Sequence, residues 1–309
     1  MSLKKSIFDS YHEKKLFKHL NSVWEGTFNI YPQLPFTKIF DIETLKVSCR
    51  EKNFLLKTNI DYTICDKNDR PLMCIEFDGL CRGYNRDGKY IQIEEEPFKN
   101  QGLSRKEKME LKLKIAKEHN FPFYIVSYSE TKYITERIHL AVIDSIIGQA
   151  IANMQLPRKV SEYIERDKDI LDRLNEYAYH EYIQDLVLDA EVELELDWDP
   201  ISRKKAEIMG ILFSKRIMKR YSFRYFSEPE LPEDDPFDIE GLKKRVEAWK
   251  TIEWHCCEVT CETIKGLVTE KAKVRNFEGG FASPIIIAKN IAELIAFFRV
   301  AIQNGIYNF

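Results

Sequence analysis

The chain has 309 residues and a formal net charge of −3, with 44% hydrophobic and 31% charged residues. This composition, with 12 Gly and 11 Pro, is typical of an ordered globular protein. No apolar run approaches the roughly 20 residues that a membrane-spanning helix needs. The amino terminus lacks the apolar core of a signal peptide, so we expect a cytoplasmic protein without a membrane partner.

The first predicted helix runs from about residue 11 to residue 24, and Asp9 or Ser10 can cap it. Its apolar residues form one face, and Glu13 falls in the middle of that face. A carboxylate facing a core is costly unless it is paired or holds a metal ion. The alternative is that Glu13 lies in a solvated first turn, where the helix dipole favours an acid.

Two short strands, at about 59–65 and 72–77, form the centre of the first half of the chain. Side chains of a strand alternate between the two faces of a sheet. Asp61 at the start of the first strand can therefore converge with Glu76 and Asp78 of the second. Such a cluster of acids repels itself and is tolerated when a divalent cation neutralises it. The alternative is an edge hairpin with solvated acids.

The next important helix is predicted at 105–119, with an apolar arc that includes Met109 and Ala116. Lys112 falls inside this arc, and Lys108 lies one turn earlier as the second candidate. A lysine in that position can extend its amine to solvent, or it can be held beside carboxylates.

The remaining elements follow from periodicity and turn residues. The expected elements are a loop or poorly paired strand at 49–57, strands at 90–93, 123–128, 190–196 and 251–260, and helices at 135–151, 159–179, 203–221, 239–249 and 284–300. We place a domain boundary at 156/157. The first domain is predicted to be α/β with a mixed sheet flanked by helices, and the second (157–309) to be α+β.

The helix predicted at 203–221 is strongly basic although the second half of the chain is acidic. Lys215, Lys219 and Arg220 are therefore candidate contacts for nucleic-acid phosphates. The alternative is a solvated face whose charges pair with acids of the 190–196 segment.

Four motifs occur in an order that resembles the PD-(D/E)xK, or restriction-endonuclease-like, nuclease superfamily, and within it the very-short-patch-repair-like group (DUF2726). The resemblance covers about residues 7–150. The motifs are Ser10-Tyr11-His12-Glu13, Asn59-Ile60-Asp61-Tyr62, Ile75-Glu76-Phe77-Asp78-Gly79, and Lys112 followed by Phe121-Pro122.

This resemblance implies a restriction-endonuclease-like fold and a nuclease that hydrolyses phosphodiester bonds with Mg²⁺ or Mn²⁺. Asp61, Glu76 and Glu13 would hold the metal, and Lys112 would be the catalytic lysine. Asp78 occupies the usual lysine position, so the lysine would have migrated to the next helix, and Asp78 becomes an accessory residue. The implied partner is nucleic acid, DNA in particular, and a homodimer is left open. The rival hypothesis is a non-catalytic module on the same fold that binds nucleic acid or protein.

Overall fold

A computed structural model describes residues 8, 10–78, 102–127, 140–231, 239–249, 251–277 and 281–306. The chain forms two compact units, one comprising Met1–Leu140 with Asn276–Gly279 and the other Ala141–Arg275 with Gly280–Phe309. Both are mixed α/β: the first is built on a mixed sheet and the second on an antiparallel sheet. Within the described ranges, no helix is both long and apolar enough to cross a membrane.

The first unit contains a four-stranded sheet in the order β1-β2-β3-β4. The first three strands pair antiparallel, and β4 pairs parallel to β3. Its elements are α1 (Tyr11–Trp24), β1 (Asn29–Pro35), two 3₁₀ turns (Phe36–Lys38 and Ile42–Thr44), α2 (Cys49–Leu55), β2 (Asn59–Cys65), β3 (Pro71–Asp78), α3 (Arg105–Glu118) and β4 (Phe123–Ser127). The predicted first helix, hairpin strands and second important helix are confirmed at these positions.

Helices lie against both faces of this sheet. Tyr62 of β2 points to the face of α1, where its hydroxyl donates a 2.6 Å hydrogen bond to the carbonyl oxygen of Glu13. Glu76 of β3 points to the opposite face, where it meets Lys112 of α3. The strands between the two helices carry fully buried side chains such as Ile64 and Ile75, and these form the core of the unit.

The expectation of a loop or weak strand at 49–57 is wrong, because this segment contains α2. Ser48 accepts a hydrogen bond from the Glu51 amide, and the Glu51 carboxylate accepts one from the Ser48 amide. This reciprocal capping box satisfies two amides that would otherwise lack partners and so favours a short helix. Leu55 anchors the helix in the core.

The second unit contains a three-stranded antiparallel sheet in the order β5-β6-β7. Its elements are α4 (Ala141–Arg166), α5 (Lys168–Leu171), α6 (Glu176–Trp198), α7 (Pro200–Ser214), β5 (Met218–Glu228), α8 (Ile239–Trp249), β6 (Trp254–Thr263), β7 (Gly266–Arg275) and α9 (Pro284–Gln303). The apolar helix α9 packs on β6 and β7. The helix expected at 239–249, the strand expected near 251–260 and the final helix are confirmed.

The strand expected at 190–196 is wrong, because these residues lie inside α6. The alternating apolar pattern suggested a half-buried strand, but the buried positions are Leu186, Ala190 and Leu194 at helical spacing. Val192 and Leu196, which completed the alternation, are exposed. The burial of one helical face therefore decides the secondary structure here, although apolar and acidic residues alternate along the segment as they would in a strand.

The helix expected at 203–221 is also shorter than predicted. It ends at Ser214, and β5 begins at Met218 after Arg216, which has a positive φ of 55°. The helices expected at 159–179 are divided among the end of α4, α5 and the start of α6. The expected boundary at 156/157 falls inside α4, whereas the two compact units meet in sequence at 140/141. The strand expected at 90–93 and residues 135–139 of the expected helix lie outside the described residues.

At Asp199, where α6 ends and α7 begins, the backbone leaves no room for a side chain on Gly148 of α4. A Cβ added at Gly148 would lie 2.5 Å from the Asp199 Cα and 2.7 Å from the Trp198 carbonyl oxygen. Gly148→Ala should therefore destabilise the protein by about 1–3 kcal/mol through overpacking against backbone that cannot yield. Gly210→Ala is the matched control, since a Cβ there meets nothing within 4 Å and alanine favours the helix by roughly 0.5–1 kcal/mol. Urea denaturation measures both, and equal stability of the parent and Gly148→Ala would contradict this packing.

Candidate active site

Asp61 and Glu76 lie side by side on the α3 face of the mixed sheet. Tyr62 pairs with Ile75 across the two antiparallel strands, and Asp61 and Glu76 are the next residues along β2 and β3 beyond this pair. The backbone amide of Phe77 donates a 2.8 Å hydrogen bond to Asp61 Oδ2. The strand alternation predicted from the sequence therefore brings these two carboxylates together.

Lys112 completes this pair from α3. Its Nζ lies 2.5 Å from Glu76 Oε1 and donates a second hydrogen bond, of 2.9 Å, to the carbonyl oxygen of Asn59. Only 3% of the lysine side chain is exposed. The neighbouring Lys114 is 63% exposed and lies 3.9 Å from Glu118. Lys112 is thus the lysine that α3 directs into the sheet, and a buried amine is stabilised there by the carboxylate.

Lys108 and Lys112 both lie over the ring of Phe54, with Nζ 5.9 Å and 6.0 Å from its centroid. Among the ion pairs described for these two lysines, Lys112 alone reaches Glu76. The structure therefore joins Lys112, and not Lys108, to the carboxylate pair.

Asp61 is held in an environment that opposes its charge. Its Oδ1 accepts a 2.9 Å hydrogen bond from the Gln33 side-chain amide, in addition to the Phe77 contact. Burial, followed by the negative charge of Glu76, raises the pKa of Asp61 to about 7. The two hydrogen bonds and Lys112 act in the opposite direction but do not cancel this effect. A cation placed beside Asp61 and Glu76 would lower the pKa of Asp61 again, because it would offset the negative charge of Glu76 and favour the ionised carboxylate.

Glu13 lies on the side of the sheet opposite Glu76 and Lys112, where its carbonyl oxygen meets Tyr62. Its backbone amide is capped by Ser10, and the Ser10 hydroxyl donates a 3.1 Å hydrogen bond to Glu13 Oε1. Burial and then the charges of Asp61 and Glu13 raise the pKa of Tyr62 above its usual range. Both carboxylates therefore act on the same phenol, although no hydrogen bond described here joins Glu13 to Asp61 or Glu76.

Asp78 lies on the same face as Glu76, is fully buried and forms an ion pair with Arg105. Arg105 and Gln33 are the two residues of this cluster that sequence reasoning missed. Arg105 precedes Lys112 by seven residues on α3, two helical turns, so the periodicity that identified Lys112 could also have identified it. Gln33 has a positive φ of 54°, an uncommon conformation that no sequence pattern indicated.

The described residues contain no group of three or more His, Cys, Asp or Glu side chains placed to hold a metal ion. The donors that are present nevertheless fit Mg²⁺ or Mn²⁺, because Asp61 and Glu76 are carboxylates whose mutual repulsion a cation would relieve. Mg²⁺ in particular is commonly bound by one or two carboxylates, with waters and substrate phosphates as the remaining ligands. Two carboxylates are therefore at the upper end of the number of protein ligands usual for Mg²⁺.

The three basic residues proposed as phosphate contacts lie in the other compact unit. Lys215 follows the last residue of α7, and Lys219 and Arg220 belong to β5. Lys219 and Arg220 both pair with Glu262 of β6, at 3.6 Å and 2.7 Å. Their acidic partner is therefore a cross-strand residue and not one of the acids of the 190–196 segment.

No family model, curated protein or solved structure matches this chain.

Proposed function

We propose that the first unit is a metal-dependent nuclease that hydrolyses phosphodiester bonds in DNA. The observation that carries this proposal is the buried contact of Lys112 with Glu76 beside Asp61. The order of elements in the unit supports a restriction-endonuclease-like fold. The helix α1 is followed by three antiparallel strands, and the helix α3 is followed by β4, which runs parallel to β3. No compact apolar core needs two acids and a lysine at this point, since each costs desolvation energy.

Asp61 and Glu76 are the residues that would hold Mg²⁺ or Mn²⁺. A bound divalent cation supplies charge neutralisation on the phosphate and lowers the pKa of a coordinated water. Lys112 Nζ is a positive donor held by Glu76, and it can donate a hydrogen bond to a phosphate oxygen on which negative charge develops. Glu13, at the first turn of α1, can orient a water at the edge of the same cluster.

One observation favours a second candidate, a non-catalytic module that binds nucleic acid or protein through the same fold. No third carboxylate of the described chain joins Asp61 and Glu76 at metal-ligand distance, and Lys112 already has two partners.

A cleavage assay separates the two functions. It would use single-stranded, duplex and branched DNA and RNA, each with Mg²⁺, Mn²⁺ or EDTA. Metal-dependent cleavage supports the nuclease, and binding without cleavage under every condition supports the module.

The raised pKa of Asp61 predicts that the metal requirement depends on pH. Below about pH 7 this carboxyl is largely protonated and neutral, so cation binding must displace a proton. The Mg²⁺ concentration for half-maximal cleavage should rise about tenfold for each pH unit below about 7 and level off above it. Magnesium titrations at about pH 6, 7 and 8 measure this dependence. The same requirement at all three pH values would contradict the role given to Asp61.

A further inference from the structure

The second unit contains a pocket of about 390 Å³ where β5 ends, beside α8 and the start of β6. Three aromatic residues line it, together with a cation, an acid and an imidazole. These residues are Tyr225, Phe226 and Trp249, together with Arg245, Glu230 and His255. Pockets of this size, with apolar walls and a few polar groups, are typical small-ligand sites.

An exposed aromatic surface continues from this pocket along β5. Phe223 and Tyr225 point to the same face of the strand, their ring centroids are 5.2 Å apart, and each side chain is 44% exposed. Lys289 of α9 places its Nζ 4.5 Å from the centroid of the Phe223 ring. Tyr225 belongs to both features, so pocket and surface form one continuous strip.

The charges around β5 favour an anionic ligand on one of its two faces, the face that carries Phe223 and Tyr225. On the opposite face of β5, Arg224 and Lys271 lie near the Phe226 ring, but both pair with Glu258, at 3.8 Å and 2.6 Å. Lys289 makes no ion pair with any residue that the structure describes. The exposed ring of Phe223, next to that of Tyr225, therefore lies beside a cation for which the described part of the chain provides no ion-pair partner.

Successive flat rings beside an available cation match the chemistry of a single nucleic-acid strand. Each base offers a π-face that stacks on an aromatic side chain, and each phosphate offers a charge to a lysine. In the pocket, the exposed Glu230 offers an acceptor for the edge of a base. A duplex keeps its bases stacked on each other and cannot use this strip without unpairing.

We propose that this strip binds single-stranded nucleic acid, with one base in the pocket lined by Tyr225 and Trp249 and the neighbouring base on Phe223. Lys289 contacts the intervening phosphate. The choice of nucleic acid as partner rests on the nuclease function proposed for the first unit. The strip thereby gives the second unit a role in recognition.

The test is fluorescence anisotropy with a labelled single strand of about 12 nucleotides, in EDTA so that cleavage is prevented. Phe223→Ala and Trp249→Ala should each weaken binding of this strand by the full chain about tenfold, since each removes one stacking contact. Phe213→Ala is the matched control, because Phe213 is a 37% exposed phenylalanine elsewhere in the same unit. The Phe213→Ala variant should bind the labelled strand with the affinity of the parent. Lys289→Gln should reduce the slope of log affinity against log salt by about 0.7.

Trp249→Phe and melting curves separate stacking from folding. Trp249→Phe keeps an aromatic ring and should retain affinity within about threefold. If Phe223→Ala and Trp249→Ala melt like the parent and bind the strand as tightly, the proposed strip is wrong. A parent that cuts nucleic acid while these variants bind normally refutes the strip alone. A parent that binds through Phe223 and Trp249 but cuts nothing with either metal refutes the nuclease alone.

Discussion

Lys112→Met should reduce metal-dependent cleavage by roughly 10²- to 10³-fold, whereas Lys114→Met should cleave at nearly the parent rate. Both variants lose one positive charge from α3, so they change the total charge equally. They differ in position, because the Lys112 amine is buried on Glu76 and the Lys114 amine is largely in solvent. Single-turnover cleavage of one substrate with saturating Mg²⁺ measures the chemical step directly.

Removal of Lys112 also leaves Glu76 as an uncompensated buried carboxylate. Breaking one partner of a buried pair costs about 3–5 kcal/mol, so the melting temperature of Lys112→Met should fall. Lys112→Arg keeps the charge and the contact with Glu76 and should remain folded, but a planar guanidinium cannot reproduce the compact amine. A folded Lys112→Arg with a large loss of cleavage rate and near-normal nucleic-acid affinity would place the effect in chemistry and not in stability.

Other results would change the assignment of the lysine. If Lys112→Met is folded and cuts as well as the parent while Lys108→Met does not, then the catalytic lysine is Lys108. If every variant and the parent bind nucleic acid but none cuts it, the binding module replaces the nuclease as the better function. Lys114→Met remains the reference in both cases, because its side chain contacts only Glu118 among the described ion pairs.

The positions of Asp61, Glu76 and Lys112 could be predicted from the sequence because each depends on local periodicity. A strand alternates its side chains whatever its neighbours are, so two adjacent antiparallel strands were enough to bring the acids to one face. Lys112 followed from the same kind of argument on a helix, and Ser104 caps that helix as its sequence position suggests.

Two further contacts of the site could not be predicted in this way. The ion pair of Arg105 with Asp78 joins α3 to β3 across a long segment, and the hydrogen bond from Gln33 to Asp61 depends on an uncommon backbone conformation. Residues 190–196 show a different limit, because their apolar spacing is compatible with both a strand and a helix over so short a window. Tertiary packing around Leu194 decides in favour of the helix.

Asp61→Asn should raise the melting temperature of the metal-free protein above about pH 7 and abolish the response of the protein to Mg²⁺. The folded-state pKa of Asp61, about 7, lies above the usual value of 3.8. The favourable contribution of this group is therefore fully present below about pH 4 and is lost as the pH rises through 7. A shift of this size corresponds to a cost on the order of 4 kcal/mol in the metal-free protein at higher pH.

Asparagine removes this cost because it is neutral, and it can keep both hydrogen bonds. Its carbonyl oxygen can accept from the Phe77 amide, and its NH₂ group can donate to Gln33 once the Gln33 side-chain amide turns over. The difference in melting temperature between Asp61→Asn and the parent, measured in EDTA, should therefore be largest near pH 8 and close to zero near pH 4. Mg²⁺ should stabilise the parent by binding to the folded state and should leave the variant unchanged.

Asp189→Asn is the control for the loss of one carboxylate, since Asp189 is exposed on α6. This substitution should leave both the melting temperature and the Mg²⁺ response unaltered. An Asp61→Asn variant that is less stable than the parent in EDTA near pH 8 would show that the negative charge itself supports the fold. An equal Mg²⁺ response in parent and variant would place the cation elsewhere. Increased stability together with loss of metal binding is the result expected of a carboxylate retained for its chemistry at the expense of folding energy.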